Sequence, residues 1–175
     1  MTHHILIYSD DHGVGGVAQY NHMVALSLSQ RGYRVTSVQS QSNNPLVNEQ
    51  QQQGIHHEWL PFDSITEFGQ TVTNAKAARS IFSHTQPDLI VFSDCCPLSN
   101  MAAKQVALQL DIPYLIVIGY VAPSFAEYFQ EQPQPEIYLQ MLSRYYDRAK
   151  AVVAVSQENL DLLHKRFGLA PIGDR

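Results

Sequence analysis

Ile5-Leu-Ile-Tyr-Ser-Asp-Asp-His-Gly-Val-Gly-Gly-Val-Ala18 reads as an apolar strand that runs into a glycine loop and then opens a helix. Glycines in such a loop let the backbone approach an anion. The unpaired N–H groups of the first helical turn, at the positive end of the helix dipole, favour negative charge. The stretch therefore points to a nucleotide or a phosphosugar.

Gly13, Gly15 and Ala18 satisfy the spacing G-x-G-x-x-G/A of dinucleotide-binding folds. The next strand does not complete that pattern. Tyr33-Arg-Val-Thr-Ser-Val-Gln-Ser40 should end in an acid for the ribose hydroxyls, and it ends in Gln39, Ser40 and Gln41. Asp10, Asp11, His12 and Gly13 also make the loop wider than a tight pyrophosphate turn. A plainer reading is that Gly15 and Gly16 only let the helix pack close to the sheet.

At 175 residues and 45% hydrophobic content, the chain is long enough for one domain with a proper core and short for two. A net charge of -5 argues against a general nucleic-acid binder. Residues 140–175 nevertheless carry six of the eleven basic residues, Arg144, Arg148, Lys150, Lys165, Arg166 and Arg175. A solvated helix face is the favoured explanation, ahead of a phosphorylated substrate or a membrane surface. No apolar run is long enough to span a bilayer and no signal-peptide pattern opens the chain, so the expectation is a cytoplasmic protein, with peripheral membrane contact as the variant. Cys95 and Cys96 are read as reduced thiols at the end of a buried strand.

Strand-length apolar runs alternate with segments of helical period, the mark of parallel βαβ units. The expected strands are His4–Ser9, Arg34–Gln39, His56–Leu60, Leu89–Ser93, Tyr114–Ile118 and Ala151–Val155, all but the third apolar enough for burial on both faces. Helices are expected over Val17–Gln30 (ending at Gly32), Ile65–His84, Leu98–Leu110 and Asn159–Arg166, the last capped by Ser156. Gln41–Gln53 reads as a surface loop with a turn of helix, and Tyr120–Pro135 as a loop excursion. The fold class is α/β: a doubly wound, Rossmann-like parallel sheet in a single domain, with its ligand crevice at the C-terminal strand ends.

The strand-end residues are the ones that converge there. Ser9, Asp10, Asp11 and His12 follow the first strand; Ser93, Asp94 and Cys95 the fourth; Gly119 and Tyr120 the fifth; Ser156 and Glu158 the sixth. Asp10 or Asp94 could accept a hydroxyl hydrogen bond or act as a base, although Asp in a turn more often caps a neighbouring element. Phe125, Tyr128 and Phe129 are placed beside the crevice as acceptor contacts. The eight histidines show no metal-ligand spacing; the adjacent pairs His3-His4 and His56-His57 would point to opposite faces of their strands. No G-x-S-x-G elbow is present.

Four segments in order resemble the N-terminal domain of GT-B glycosyltransferases of the group 1, family 4 type. They are the Gly15-Gly16 loop followed by Leu28-Ser-Gln-Arg-Gly-Tyr-Arg-Val35; Gln86-Pro-Asp-Leu-Ile-Val-Phe-Ser93; Asp111-Ile-Pro-Tyr-Leu-Ile-Val-Ile118; and Arg148-Ala-Lys-Ala-Val-Val-Ala-Val-Ser-Gln157 with Leu160, Leu163 and Phe167-Gly168. The resemblance implies the acceptor-side half of a two-domain enzyme, with the donor held mainly by a C-terminal domain that lies beyond Arg175. The implied reaction is metal-independent transfer of a sugar from a nucleotide sugar, with retention, to a sugar or lipid-linked acceptor. No cofactor is implied beyond the donor substrate, and this half alone should not complete turnover.

By position, Gly15, Gly16 and His12 would form the donor-phosphate or acceptor loop. Asp10, Ser93, Gly119, Tyr120 and Phe125 would be acceptor-side candidates, and Asp94 the candidate catalytic group. Many members place a His after the fifth strand, where this chain has Gly119. A nicotinamide-binding domain and a non-catalytic α/β binding module are the competing readings.

Overall fold

The computed structural model describes residues 2–62, 69–124 and 135–168. Its strands are β1 (His4–Tyr8), β2 (Arg34–Ser40), β3 (His56–Leu60), β4 (Leu89–Asp94), β5 (Tyr114–Ile118) and β6 (Ala151–Ala154). All five pairings are parallel and the order is β3-β2-β1-β4-β5-β6. The winding reverses between β1 and β4, so a crevice opens at their C-terminal ends.

Period-two alternation divides the core. On one face Leu6, Tyr8, Ile90, Phe92, Tyr114, Ile116 and Ile118 pack under helices α4 (Ala75–Thr85), α5 (Met101–Gln109), α6 (Pro135–Arg148) and α7 (Gln157–Phe167). Tyr8, Phe92 and Tyr114 meet edge to face across three strands, with ring centres 5.8 and 5.4 Å apart. On the other face Ile5, Ile7, Val35, Val91 and Val117 pack with Ala25, Val24 and Leu28 of α1 (Gly16–Gln30). Alongside α1 lies α2 (Leu46–Gln52), two turns of helix in the polar segment where one was expected.

The single expected helix over Ile65–His84 is corrected: among the described residues it is α3 (Gly69–Thr73) and α4, broken at Asn74. Asn74 leaves helical geometry and accepts a hydrogen bond from the Ala77 N–H, so a side-chain cap restarts the helix. α6 had no counterpart in the sequence reading, although Tyr138, Leu142, Tyr145 and Ala149 hold helical spacing and reach the core.

β6 was expected to be buried on both faces and is not. Val153 is 46% exposed and Val155, just past the strand, 57%, because α1 reaches only as far as β4 and β5 and no described helix lies over β6 on that side. Gly32 and Ser156 behave as expected, the first with φ +86° after α1 and the second capping α7 through the Asn159 N–H at 3.2 Å.

The glycine that permits close packing is Gly119, not Gly15 or Gly16. A Cβ at Gly119 would lie 3.3 Å from Val17 Cγ2 and 3.4 Å from the Asp94 carbonyl oxygen, whereas one at Gly15 or Gly16 would meet nothing within 4 Å. Gly119→Val therefore lowers the urea unfolding free energy by about 1–3 kcal/mol, while Gly16→Ala, in the first helical turn with open space around it, does not lower it. Equal effects in the two variants would contradict this packing.

Candidate functional site

The loop after β1 is held from three sides before it reaches α1. Asp11 Oδ1 accepts from the Gly13 N–H at 3.0 Å, closing a tight turn. Gln39 Nε2 donates to the Gly13 carbonyl at 2.9 Å, and Gln39 Oε1 accepts from Asn44 Nδ2 at 2.8 Å. Gln39 occupies the strand end where a dinucleotide site keeps its acid, and its amide is committed to the loop. His12 is half-buried, its Nδ1 3.8 Å from Asp11 Oδ1.

α1 then begins without a side-chain cap. Its first intrahelical bond runs from the Gln19 N–H to the Gly15 carbonyl at 3.0 Å, so the amides of Gly16, Val17 and Ala18 precede the ladder. Gly15 and Gly16 are exposed, and neither has positive φ. α4 and α7 each have a capping side chain, Asn74 and Ser156, whereas α2 and α5, like α1, have none. The start of α1 is thus electropositive and open to solvent at the switch point.

Asp10 and Asp94 lie together beneath this loop, out of solvent. Asn100, in left-handed geometry at φ 58°, is the hub. Its N–H donates to Asp10 Oδ2 and its Oδ1 accepts from the Asp10 N–H, both at 2.8 Å. Its Nδ2 donates to Asp94 Oδ1 at 2.8 Å and to the Ser93 carbonyl at 3.1 Å. Lys104 is wholly buried; its Nζ donates to Asp94 Oδ2 and to the Ser99 carbonyl and lies over the Phe92 and Tyr146 rings. Burial pushes the Asp10 carboxyl up to about 6 and the Asp94 carboxyl up to about 7, against the pull of Lys104 on each.

The sequence reading put both acids at the strand ends but offered them to the crevice as a base or hydroxyl acceptor, whereas both are buried and paired, and it missed Asn100 and Lys104. A lysine among Met101, Ala102, Ala103, Val106 and Ala107 was the available signal, since a buried ammonium requires a carboxylate.

Beside the loop, Gly16, Val17, Tyr20, Ser93, Val117, Gly119 and Val155 line a groove of about 280 Å³. Ser93 and Val117 are register partners on the α1 side of the sheet, whereas Asp94 lies on the α5 side. Thus the structure brings Gly16, Ser93 and Gly119 to one groove and sets Asp94 behind its wall. Tyr120 is 58% exposed at the β5 end. Asn159 of α7 fixes that end, donating to the Gly119 carbonyl at 3.1 Å and accepting from the Val121 N–H at 3.0 Å. Phe125, Tyr128 and Phe129 lie outside the described residues. A wider cleft of about 560 Å³, lined by Asp111, Pro113, Arg148 and Lys150, opens at the opposite pole of the sheet, away from the strand ends where such folds bind ligands. Among the described residues no group of three or more His, Cys, Asp or Glu could hold a metal ion, and no helix is long and apolar enough to cross a membrane.

A six-stranded parallel sheet in this order, with helices on both faces, is a doubly wound, Rossmann-like domain, and its fold matches that of solved glycosyltransferases. The sequence model of Glycosyltransferase Family 4 matches residues 14–173, and the chain belongs to that family. A glycosyltransferase from Rickettsia africae ESF-5 is similar in structure, with a TM-score of 0.61 at 20% identity over 97% of this chain and 41% of that one. Phytolacca americana UGT2, complexed with UDP-2fluoro-glucose and pterostilbene, gives 0.59 at 13% identity over 97% and 52%. Acinetobacter baumannii MurG gives 0.54 at 14% identity over 91% and 42%. At these identities the likeness is one of fold, and the chain spans about half the length of each protein. No curated protein matches the chain.

Asp10 and Asp94 face one ammonium, so the cluster carries one excess negative charge, and Asp10 Oδ1 is the buried carboxylate oxygen without a partner. Burial raises both carboxyls, Asp94 further than Asp10. A carboxyl raised from 3.8 to about 6 on folding contributes stability that is complete below its unfolded value and lost as pH rises through its folded one. Asp10→Asn, which keeps an acceptor for Asn100, therefore unfolds like the wild type near pH 4 and gains on it by up to about 3 kcal/mol by pH 8 in urea titrations. A difference that does not change with pH would contradict the assignment.

Proposed function

We propose that this domain is the acceptor-side half of a glycosyltransferase that moves a sugar from a nucleotide sugar with retention and without a metal ion. The observation that carries the proposal is the uncapped start of α1 at the crevice, in a chain of Glycosyltransferase Family 4. Charge builds on the leaving diphosphate as the glycosidic bond breaks. Fixed amide dipoles at Gly16, Val17 and Ala18 would stabilise that charge in a cleft closed by a second domain, the role a divalent cation plays elsewhere.

The same reading gives the remaining residues their places. His12 and Asp11 border the phosphate end, and Ser93 and Gly119 border the acceptor end beside the apolar wall of Val17, Val117 and Val155, with Tyr120 exposed where β5 ends. Asp94 and Asp10 act through the wall they build: burial and the bond to Lys104 keep Asp94 from the groove, so it holds Asn100 and the β4 end in position. Donor contacts from a second domain would complete the reacting geometry, which explains why half the enzyme would be inactive.

The test uses an enzyme in which a donor-binding domain follows residue 175. A β-branched side chain at residue 16 stands where the anion would sit, yet the backbone there is unstrained and the space empty. Gly16→Val lowers turnover about 100-fold with thermal stability nearly unchanged. Turnover equal to wild type would remove the loop from the mechanism.

A further inference from the structure

Adjacent residues of a strand point to opposite faces, and two neighbouring thiols there would never meet. Cys95 and Cys96 escape this rule because β4 ends at Asp94. The turn that follows is closed by the Ser99 N–H on the Cys96 carbonyl at 3.0 Å and by the Cys96 N–H on Ser99 Oγ at 3.3 Å. It brings both sulfurs to one hydroxyl: Cys95 Sγ lies 3.1 Å and Cys96 Sγ 3.7 Å from Ser99 Oγ. Both residues are half-buried rather than sealed in the core. Neither thiol belongs to the clasp of Asp10, Asn100, Asp94 and Lys104, and the proposed transfer reaction uses neither.

We infer that Cys95 and Cys96 form a vicinal thiol pair that reacts with hydroperoxides and closes reversibly into a disulfide. The neighbouring Cys95 thiol holds the Cys96 thiol below its ordinary range, while Cys96 and burial push Cys95 up. Cys96 is thus the attacking sulfur and Cys95 the resolving one. In the first step the Cys96 thiolate takes the terminal oxygen of the peroxide, the O–O bond breaks, and hydroxide (or alkoxide) leaves with the bonding pair, giving a sulfenic acid. In the second, the Cys95 sulfur attacks the sulfenic sulfur, the S–O bond breaks, and the proton from Cys95 leaves with that oxygen as water. Two electrons pass from the two sulfurs to the peroxide. Adjacent α-carbons stand about 3.8 Å apart, closer than disulfide-bridged residues usually do, so the eight-membered ring is strained and readily reduced by a dithiol. Closing it draws the sulfurs from Ser99, whose carbonyl holds Lys104 Nζ at 2.8 Å, and so reaches the crevice wall.

The experiment treats the 175-residue chain, without any donor, with hydrogen peroxide and follows intact mass and free thiols. The expected result is loss of both thiols with a mass decrease of about 2 Da, reversed by dithiothreitol, with amide shifts at Ser99, Asn100 and Lys104. Cys95→Ser should instead gain about 16 Da at Cys96 as a sulfenic acid that dimedone traps. Oxygen addition to the wild type without thiol pairing, a disulfide between two chains, or thiols that survive the peroxide would each overturn the proposal. None of these outcomes bears on sugar transfer, so the two readings fail separately.

Discussion

The double hydrogen bond between the Asp10 and Asn100 backbones and side chains is the constraint on which the rest of the crevice depends. It ties the end of β1 to the start of α5, two elements ninety positions apart, with four polar groups that would otherwise be buried without partners. Through Nδ2 the same asparagine holds the end of β4, and through Asp94 it engages the buried Lys104. Once these strand ends are fixed, the loop from Asp11 to Gly15 has both anchors set, and Gln39 pins its middle. The amides at the start of α1 are thereby aimed by a rigid floor.

That floor separates the two tasks strand-end residues can perform. The acids that sequence suggests for chemistry have gone into the foundation, where Lys104 pairs with Asp94 and burial raises both carboxyls. What faces the groove is nearly free of formal charge: glycine backbone, a serine, valines and a tyrosine. An uncapped helix N-terminus in such surroundings has little competition for an incoming anion.

Much of the fold was legible because its periodicities are strong. Buried parallel strands carry runs such as Leu-Ile-Val-Phe at 89–92, and helix ends carry Gly32, Gly168 and Ser156. The misreadings have local causes. The aromatic spacing of α6 follows a proline-rich stretch that draws attention to a loop, and the exposure of β6 depends on which helices lie over it, which no local pattern records. At the site, the strand ends were legible from topology alone. The partnership of Asp94 with Lys104 and the role of Gln39 as a strut were not, since each joins residues whose proximity exists only after the sheet has formed. Gly119 shows the same limit: its value lies in a contact with Val17 about one hundred positions away.

The central claim is that the first amides of α1 receive an anionic ligand, and a titration of the isotope-labelled chain with inorganic pyrophosphate tests it most directly. The account predicts saturable shifts concentrated at Gly15, Gly16, Val17 and Ala18, with smaller ones at His12 and Gly119. Shifts confined to Arg144, Arg148 and Lys150 at the far pole, with the α1 amides unmoved, would contradict it.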